Sequence, residues 1–240
     1  MTDVPRSRDG QDVAIAYQSF REAILQGDIP PGEIMTQQQV AERLGISRTP
    51  LREAIRILQH EGLLNAEPHR RLQVAEFSID DVETVYVMRV LLECTAVRIT
   101  VPTLQLKDIA EMKGFMAQMA HYAEQLEAVR EWEVPHRAYH AVLVSGAGGP
   151  MQTLIRQLSD HAERYRRAYL ASAPSPYAIS AAEHAAILDA AGEHDPDETA
   201  SLLAAHYLRT ATSVIRAVDP TRDAEQVRLA VALVGDRRLA

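Results

Sequence analysis

Residues 36–62 read TQQQVAERLGISRTPLREAIRILQHEG and contain the start and end signals of two short helices. Thr36 and Gln39 have the spacing of a capping box, in which each side chain bonds the backbone N–H of the other residue. Gly45 ends the first helix, because glycine tolerates a left-handed backbone. After a short turn, Thr49 can cap a second helix that has proline at its first position. The stretch therefore predicts two helices joined by a tight turn.

The second helix has arginines four residues apart. This spacing places Arg48, Arg52 and Arg56 on one exposed face. In helix-turn-helix proteins the second helix enters the major groove of DNA, where arginine can donate two hydrogen bonds to guanine. Residues 43–71 hold six arginines against three glutamates, so positive charge is concentrated in this segment. We interpret the face as a DNA-reading surface, and the alternative is a solvated helix face with ordinary Glu–Arg pairs.

Two apolar runs around a polar link follow the second helix and predict a β-hairpin. The runs are residues 63–67 and 72–75, and the link includes His69 and Arg70. At the tip of a hairpin these two side chains can reach phosphates or the adjacent minor groove, and phosphate contact is the favoured interpretation. The Thr49 hydroxyl can also bond a phosphate, although capping is a sufficient reason for its presence.

The rest of the chain has helical periodicity, which indicates a second domain. A length of 240 residues is long for a single compact core. We predict a mainly α protein, with a flexible arm at 1–12, a winged helix-turn-helix with a small β-hairpin wing at 13–76, and an all-α bundle at 79–235. Capping signals at Ser180 and Asp195 mark two helix starts. The periodicity places the helices of the bundle near residues 79–100, 103–129, 135–145, 150–171, 180–191, 196–218 and 222–234.

The composition excludes several classes of protein. A net charge of −8 argues against nonspecific coating of nucleic acid, although it permits a local basic surface. The single cysteine, Cys94, excludes a disulfide framework and a cysteine-based zinc site, and it indicates a reducing, cytoplasmic setting. No stretch approaches the ~20 apolar residues that cross a bilayer. The N-terminal residues have no apolar signal core, so we do not expect export.

Four histidines of the helical region have a spacing that could form a metal site. His136 and His140 are four residues apart and share one face of a helix, while His184 and His206 lie on two further helices. A bundle can bring the four imidazoles together, and imidazoles bind zinc, nickel, copper or iron. From the residues alone, the alternative stays open that these are surface histidines or hydrogen-bonded core groups.

The sequence resembles a known family of regulators. Residues 32–64 resemble the winged-helix signature of GntR-family bacterial transcription regulators, and the resemblance covers 13–76. The helical remainder resembles the effector domain of the FadR subfamily, the FCD domain. The resemblance implies a homodimer that binds a palindromic operator and senses a small molecule. It also implies that the DNA contacts fall at Arg48, Thr49 and Arg52, with the wing tip at His69 and Arg70.

The resemblance to the FCD domain also implies a metal site. It implies that His140, His184 and His206 are ligands of a divalent metal ion, with zinc or nickel as the first candidates. The fourth ligand of the family is typically an aspartate four residues before the first histidine, and His136 occupies that position here. The difference leaves open an all-imidazole site, a shift towards softer ions, weak binding, or a carboxylate supplied by Glu133. The resemblance rests on three short segments, YHAVL at 139–143, EHAAIL at 183–188 and AHYL at 205–208.

A small carboxylate that chelates the metal is the effector that the resemblance implies. Arg89, in the segment RVLLE, is a candidate second anchor for this carboxylate, and a helix-surface salt bridge with Glu93 explains Arg89 equally well. Arg164 and Arg167 are weaker candidates, because the run from Glu163 to Arg167 has the composition of a solvated face.

We therefore predict a ligand-responsive, DNA-binding transcription regulator, a repressor in its simplest form, and no enzymatic activity. The first alternative is an enzyme with a metal site in the helical bundle. Glu133 and His136 have the spacing of a di-iron ligand pair, but such sites need this motif twice, and we find no second copy in the sequence. The second alternative is a dimeric DNA-binding protein that does not respond to an effector.

Overall fold

The computed structural model describes residues 8–67, 71–76, 78–125, 129–170 and 176–235. The chain divides into two units, Met1–Phe77 and Ser78–Ala240. The N-terminal unit has helices and a small sheet, and the described residues of the C-terminal unit form helices and their connections. The predicted mainly α architecture, with β structure confined to the N-terminal unit, is confirmed for the described residues.

Three helices of the N-terminal unit pack around an apolar core. Helix α1 spans Arg8–Leu25, α2 spans Gln37–Leu44 and α3 spans Arg48–His60. Helix α3 contacts both α1 and α2. The buried side chains form one cluster that includes Phe20, Leu51 and Leu58. Removal of this apolar surface from water is the main contribution that holds the three helices together.

The ends of α2 and α3 follow from local capping. The Thr36 hydroxyl accepts from the Gln39 N–H and the Gln39 side chain accepts from the Thr36 N–H, so the predicted capping box is confirmed. Gly45 ends α2 with a φ of 66°, also as predicted. The prediction that Thr49 caps α3 is wrong, because Ser47 is the extended residue that precedes this helix. The proline after Thr49 lies in the first turn, where its missing N–H would have no partner inside the helix.

Helix α1 begins earlier than predicted. Arg8 already belongs to α1, so residues 8–12 of the predicted flexible arm are helical. The first turns of this helix are polar, and the apolar periodicity that locates it in the sequence starts only at Ile15. Residues 1–7 of the predicted arm lie outside the described part of the chain.

A three-stranded antiparallel sheet completes the N-terminal unit. Strand β1 spans Ile34–Thr36, β2 spans Leu64–Glu67 and β3 spans Arg71–Val74, in the order β1-β3-β2. Gln73 of the central strand β3 pairs with Ile34 on one side and with Asn65 on the other. Strands β2 and β3 are the predicted hairpin. Strand β1 is absent from the prediction, because three residues with one buried side chain, Met35, are too few to show alternation.

The C-terminal unit is built around α4 and α9. Helix α4 packs against α7, α9 and α10, while α5 packs against α6 and α8, and α8 packs against α9. A 3-10 turn at Val101–Thr103 follows α4. The helices are α4 (Ile79–Thr100), α5 (Leu106–Ala123), α6 (Val129–Leu143), α7 (Gly149–Leu170), α8 (Pro176–Gly192), α9 (Pro196–Val218) and α10 (Glu225–Gly235).

The helix predictions are most accurate for α4 and α9, which have the predicted bounds. Asp195 caps α9 as predicted, with its carboxylate accepting from two backbone N–H groups. The prediction that Ser180 caps a helix is wrong, because α8 already begins at Pro176. A proline is favourable at the first position of a helix, where its missing N–H has no cost. The helix predicted at 103–129 is shorter in the structure, since α5 ends at Ala123.

Helix α6 differs from the prediction in the way that matters most for the site. The predicted helix starts at Pro135, whereas α6 begins at Val129 and continues through this proline. A proline inside a helix costs a backbone hydrogen bond, so the sequence favours a boundary there. Because α6 is continuous, Glu133, His136 and His140 lie on one helix at spacings of three and four residues. The three side chains therefore share one face of α6.

Candidate functional site

Four buried histidines come together in the C-terminal unit. His136 and His140 lie on α6, His184 on α8 and His206 on α9. Each ring offers one nitrogen, and these four nitrogens lie within 4.8 Å of one another. All four residues are at most 6% exposed. The structure thus brings together the residues that the sequence grouped, and it shows that they are not surface histidines.

The second nitrogen of each ring, Nδ1, faces a group outside this histidine cluster. Carboxylate and carbonyl oxygens only accept hydrogen bonds, so a neutral ring that faces one carries its proton on Nδ1. Its Nε2 then keeps a lone pair for the centre of the cluster. The distances from Nδ1 are 3.2 Å from His136 to Glu133 Oε2, 2.6 Å from His184 to the Ser180 carbonyl oxygen, 2.7 Å from His206 to Glu183 Oε2 and 3.4 Å from His140 to the Tyr207 hydroxyl.

Two of the Nε2 atoms are close enough to be ligands of one ion. Nε2 of His140 lies 3.1 Å from Nε2 of His184. Two lone pairs at this separation repel unless a proton or a cation lies between them. Zinc binds imidazole nitrogen at about 2.0–2.1 Å, which sets neighbouring nitrogens roughly 2.8–3.4 Å apart for bond angles of about 90–109°. The observed separation suits two ligands of a single metal ion.

Burial keeps the imidazoles neutral. It lowers the pKa of His136 to about 4. It also holds the pKa values of His140, His184 and His206 well below the usual range, and neighbouring histidines of the cluster add to the effect. Neutral imidazole is the form that binds metal ions, because the bond needs the nitrogen lone pair.

Glu133 lies one layer outside the cluster. Its Oε2 faces Nδ1 of His136, and both carboxylate oxygens accept from Nη2 of Arg166 at 2.9 and 2.7 Å. Burial alone would raise the pKa of Glu133, but Arg166 and His136 outweigh it and hold this pKa well below the usual range. The carboxylate is therefore an anion that orients His136, and it is not among the grouped ligand atoms.

Arg89 is held by a buried ion pair. Its Nε donates to Glu93 Oε1 at 2.7 Å and its Nη2 donates to the Tyr207 hydroxyl at 2.8 Å. The Tyr207 hydroxyl donates in turn to Glu93 Oε2, so its oxygen can accept from Nδ1 of His140. Burial alone would lower the pKa of Arg89, but Glu93 and the nearby tyrosines raise it above the usual value. The predicted salt bridge is present, in the interior and not on the helix surface.

A cavity of about 320 Å³ reaches the histidine cluster. Its volume lies within the range of small-molecule sites, which starts at about 300 Å³. His136 and His140 form part of its wall, so the cavity leads to two of the four imidazoles. Other parts of the wall are cationic, with Arg89, Arg156 and Arg166, or apolar, with Ala141, Val144 and Ile155. The arrangement can place a small anion beside the cluster.

The run from Glu163 to Arg167 is not the solvated face that its composition predicts. Glu163 and Arg164 are buried, and Glu163 accepts from Arg137 at 2.6 Å and forms an ion pair with Arg167 at 2.9 Å. Burial lowers the pKa of Arg164 to about 10. The prediction fails because α7 packs against α4 and α9, and nothing in the composition of the run reveals this packing.

The face predicted to read DNA is exposed on α3, with Arg48, Thr49, Arg52 and Arg56. Arg48 donates to Gln38 Oε1 at 3.0 Å, and Arg56 forms an ion pair with Glu53 at 3.0 Å. Arg52 has no hydrogen bond or ion pair to any other described residue. Its guanidinium is therefore available to a ligand. The predicted wing-tip residues, His69 and Arg70, lie outside the described residues.

Two family matches account for the two units. Residues 14–74 match the family described as bacterial regulatory proteins, gntR family, and residues 84–209 match the family described as FCD domain. The FCD match covers more than half of the chain. The chain belongs to the GntR family. Its members are DNA-binding transcription regulators and not enzymes, so the alternative of a helical-bundle enzyme is excluded.

Relatives of this GntR-family regulator carry names of the same kind. The HTH-type transcriptional regulator YdhC of Bacillus subtilis is 34% identical over 85 residues, which are 35% of this chain and 38% of that protein. The regulator BphR of Paraburkholderia xenovorans is 26% identical over 214 residues, which are 85% of each chain. The transcriptional repressor GlaR of Escherichia coli is 26% identical over 162 residues, which are 64% of this chain and 72% of that protein. A solved structure, Escherichia coli McbR/YncC, shares the fold with a TM-score of 0.74 at 19% identity, covering 82% of this chain and 94% of that one.

The site of the regulator lies within the FCD match, which includes all four histidines, Arg89 and the cavity arginines. Helices α2 and α3 lie within the gntR match. Sequence analysis missed Arg137 and Arg156, because single arginines on a helix carry no signal that they line a cavity, and it placed Arg166 in a run with the composition of a solvated face. Across the described residues, no helix combines the length and the apolar character that a membrane span requires.

Proposed function

We propose that this regulator is a repressor whose FCD domain binds a divalent metal ion and a small carboxylate effector. One observation carries the proposal: four buried, neutral imidazoles converge on one point, at the wall of a cavity that is also lined by arginines. The name of one relative, the transcriptional repressor GlaR, supports repression over activation. As an operator-binding protein, the regulator would act in the cytoplasm, where the bacterial chromosome is.

The donor set fits zinc or nickel. Both ions accept imidazole nitrogen, and ligand histidines usually have their other ring nitrogen held by an acceptor, as in this cluster. Glu133 takes the outer role, so the proposal assigns the fourth ligand position to His136. Four neutral imidazoles leave the charge of the ion uncompensated. The ion would therefore supply a strongly positive binding position for a carboxylate.

Arg89 is the proposed second anchor for that carboxylate. It lines the cavity at 3% exposure. Two of its N–H groups bond Glu93 and Tyr207. Arginine has five such donors in all, so others remain for an anion in the cavity. The Tyr207 hydroxyl contacts both Arg89 and His140, so a ligand bound to Arg89 would be connected to the histidine cluster through Tyr207.

On the DNA side, we propose that α3 enters the major groove. Arg52 would read a base edge, since its guanidinium has no partner among the described residues, and Arg48 and Thr49 would flank it at the start of the helix. Arg56, His69 and Arg70 are the proposed phosphate contacts, with the last two at the wing tip.

The regulator is proposed to act as a homodimer on a palindromic operator. Helix α4 supports this with a row of apolar side chains, Met88, Leu91 and Ile99, that are 38%, 40% and 48% exposed in the single chain. Their spacings of three and eight residues put them on one side of the helix. A second copy that covers this row would remove apolar surface from water and join two DNA-binding units in one dimer, as a palindromic operator requires.

The metal site is tested by His206→Ala, with His121→Ala as the matched control, because His121 is exposed on α5 and outside the cluster. Elemental analysis of the purified proteins should show metal in the wild type and in the control, but not in His206→Ala. Fluorescence anisotropy on an operator selected from random DNA should show unchanged DNA affinity in the absence of carboxylates.

Two outcomes would contradict the proposal. An unchanged metal content in His206→Ala would reduce the cluster to a packing role. An operator affinity of the wild type that is indifferent to metal and to a panel of small carboxylic acids would leave a DNA-binding dimer without an effector response. Any real response can be no larger than the difference in effector affinity between the two states of the regulator.

A further inference from the structure

The charges around the cavity are almost all compensated by partners. Four arginines and one glutamate belong to its wall. Three of the arginines form ion pairs with carboxylates, so each of them already has a partner of opposite charge within the protein. These pairs are Arg89 with Glu93 at 2.7 Å, Arg137 with Glu163 at 2.6 Å and Arg166 with Glu133 at 2.7 Å.

Arg156 is the exception among these lining residues. It is exposed, and no hydrogen bond or ion pair joins it to any other residue of the described ranges. It lies on the face of α7 that also holds Gln152, Ile155 and Ser159, all of which line the cavity. Arg156 is therefore a cation at the cavity wall whose guanidinium is free to bind an anion.

The ordinary explanation is that Arg156 is one more solvated arginine. Its place makes a ligand role the better explanation, because the proposed ion sits at one part of the same cavity wall and this uncompensated cation at another. A guanidinium binds a carboxylate through two parallel hydrogen bonds. The apolar residues Ala141, Val144 and Ile155 also line the cavity and suit the carbon chain of a ligand.

We infer that Arg156 binds a second anionic group of the effector, which makes the effector a short aliphatic dicarboxylate. The inference rests on the proposed function, in which one carboxylate binds the metal ion. The cavity of about 320 Å³ has the volume of a small-molecule site, whose range starts at about 300 Å³, and a short dicarboxylate is a ligand of this size class. Arg156 thus selects the ligand by its second charge.

Isothermal titration calorimetry of the full-length, zinc-loaded protein tests this assignment. The probes are succinate, glutarate and adipate, each compared with the monocarboxylate of equal carbon number, butyrate, valerate or hexanoate. At least one dicarboxylate should bind the wild type more than tenfold more tightly than its monocarboxylate. The variant Arg156→Gln should lose about tenfold in affinity for that dicarboxylate and keep its affinity for the monocarboxylate. Arg156→Lys should retain part of the preference.

Arg216→Gln is the matched control, because Arg216 is an exposed arginine on α9 away from the cavity wall, and it should bind like the wild type. If the wild type binds each dicarboxylate and its paired monocarboxylate equally tightly, and Arg156→Gln changes neither affinity, the assignment of Arg156 is overturned. The proposed function is not affected by this outcome. Equal loss of both acids in Arg156→Gln would also overturn the assignment, since the second charge would not be what the residue reads. A wild type that holds zinc and binds none of the six acids would overturn this inference, whereas a wild type that holds neither zinc nor nickel would refute the metal site of the proposed function and this inference with it.

Discussion

The Tyr207 hydroxyl joins three groups, and Tyr207→Phe removes it while the buried ring keeps its shape. The hydroxyl accepts from Arg89 Nη2 at 2.8 Å, donates to Glu93 Oε2, and lies 3.4 Å from Nδ1 of His140. Tyr207 is only 1% exposed, so solvent cannot replace the lost bonds without rearrangement. The substitution therefore isolates the hydrogen bonds from the packing of the ring.

The expected loss of stability follows from the charge of the partners. A hydrogen bond to a charged group contributes about 1.5–3 kcal/mol, and two of the three partners are charged. Arg89 and Glu93 keep their bond to each other, so the contributions are not additive. We expect the free energy of unfolding of the metal-free protein to fall by about 2–4 kcal/mol. His140 also loses its outer acceptor, which should weaken metal binding by about tenfold or more.

Urea unfolding in the presence of a chelator, followed by far-ultraviolet circular dichroism, measures the first effect, and competition for zinc with a coloured chelator measures the second. Tyr122→Phe is the control, since the Tyr122 hydroxyl on α5 has no hydrogen bond to another described residue. This control should stay within about 0.5 kcal/mol of the wild type. A loss below about 1 kcal/mol for Tyr207→Phe, together with unchanged zinc affinity, would refute the role given to the hydroxyl.

Three further predictions address other parts of the chain. Arg52→Ala should weaken specific operator binding by about 1–3 kcal/mol and relax the preference at one base pair in a binding-site selection, whereas a uniform loss on unrelated DNA would leave only a phosphate contact. Burial raises the pKa of the Cys94 thiol to about 12, so fewer than about one thiol in a thousand is ionised at pH 8. A disulfide reagent should therefore react with Cys94 only after urea unfolding. Rapid reaction in buffer would show that the interior around Cys94 opens in the folded protein. Gly45→Ala places a side chain at a φ of 66° and should lower the free energy of unfolding in urea by about 1–2 kcal/mol. The control, Gly114→Ala, lies in the interior of α5 with open space around it and should stabilise the protein by a few tenths of a kcal/mol or more. Equal effects of the two substitutions would argue against backbone strain at Gly45.

Local signals made most of the fold predictable. Helices α4 and α9 have long periodic patterns and a strong cap, so their bounds agree with the prediction. Strand β1 was beyond sequence reasoning, because its pairing partner β3 lies more than thirty residues away along the chain. The continuation of α6 through Pro135 depends on tertiary packing, which outweighs the local preference of proline for a helix start.

The site was predictable where helical spacing carries the information. His136 and His140 are one turn apart and meet on one face, and the structure brings them together with His184 and His206, which the sequence had already grouped with them. The outer position of Glu133 and the burial of the Arg89–Glu93 ion pair were not predictable, because each depends on a partner from another helix, Arg166 for Glu133 and Tyr207 for Arg89. The resemblance to a family did not point to Arg156 either. Arg156 stands out only because the other arginines of the cavity wall have carboxylate partners, which the sequence does not show.

The outward position of the carboxylates has a consequence for metal selectivity. Glu133 and Glu183 each face the Nδ1 side of a ring, so among the described residues the centre of the cluster presents nitrogen and no carboxylate oxygen. Magnesium and calcium are hard ions that require oxygen ligands, and a nitrogen centre discriminates against both. Under the proposed function, the regulator would be insensitive to magnesium starvation, whereas withdrawal of transition metals from the cell would disable its response to the effector.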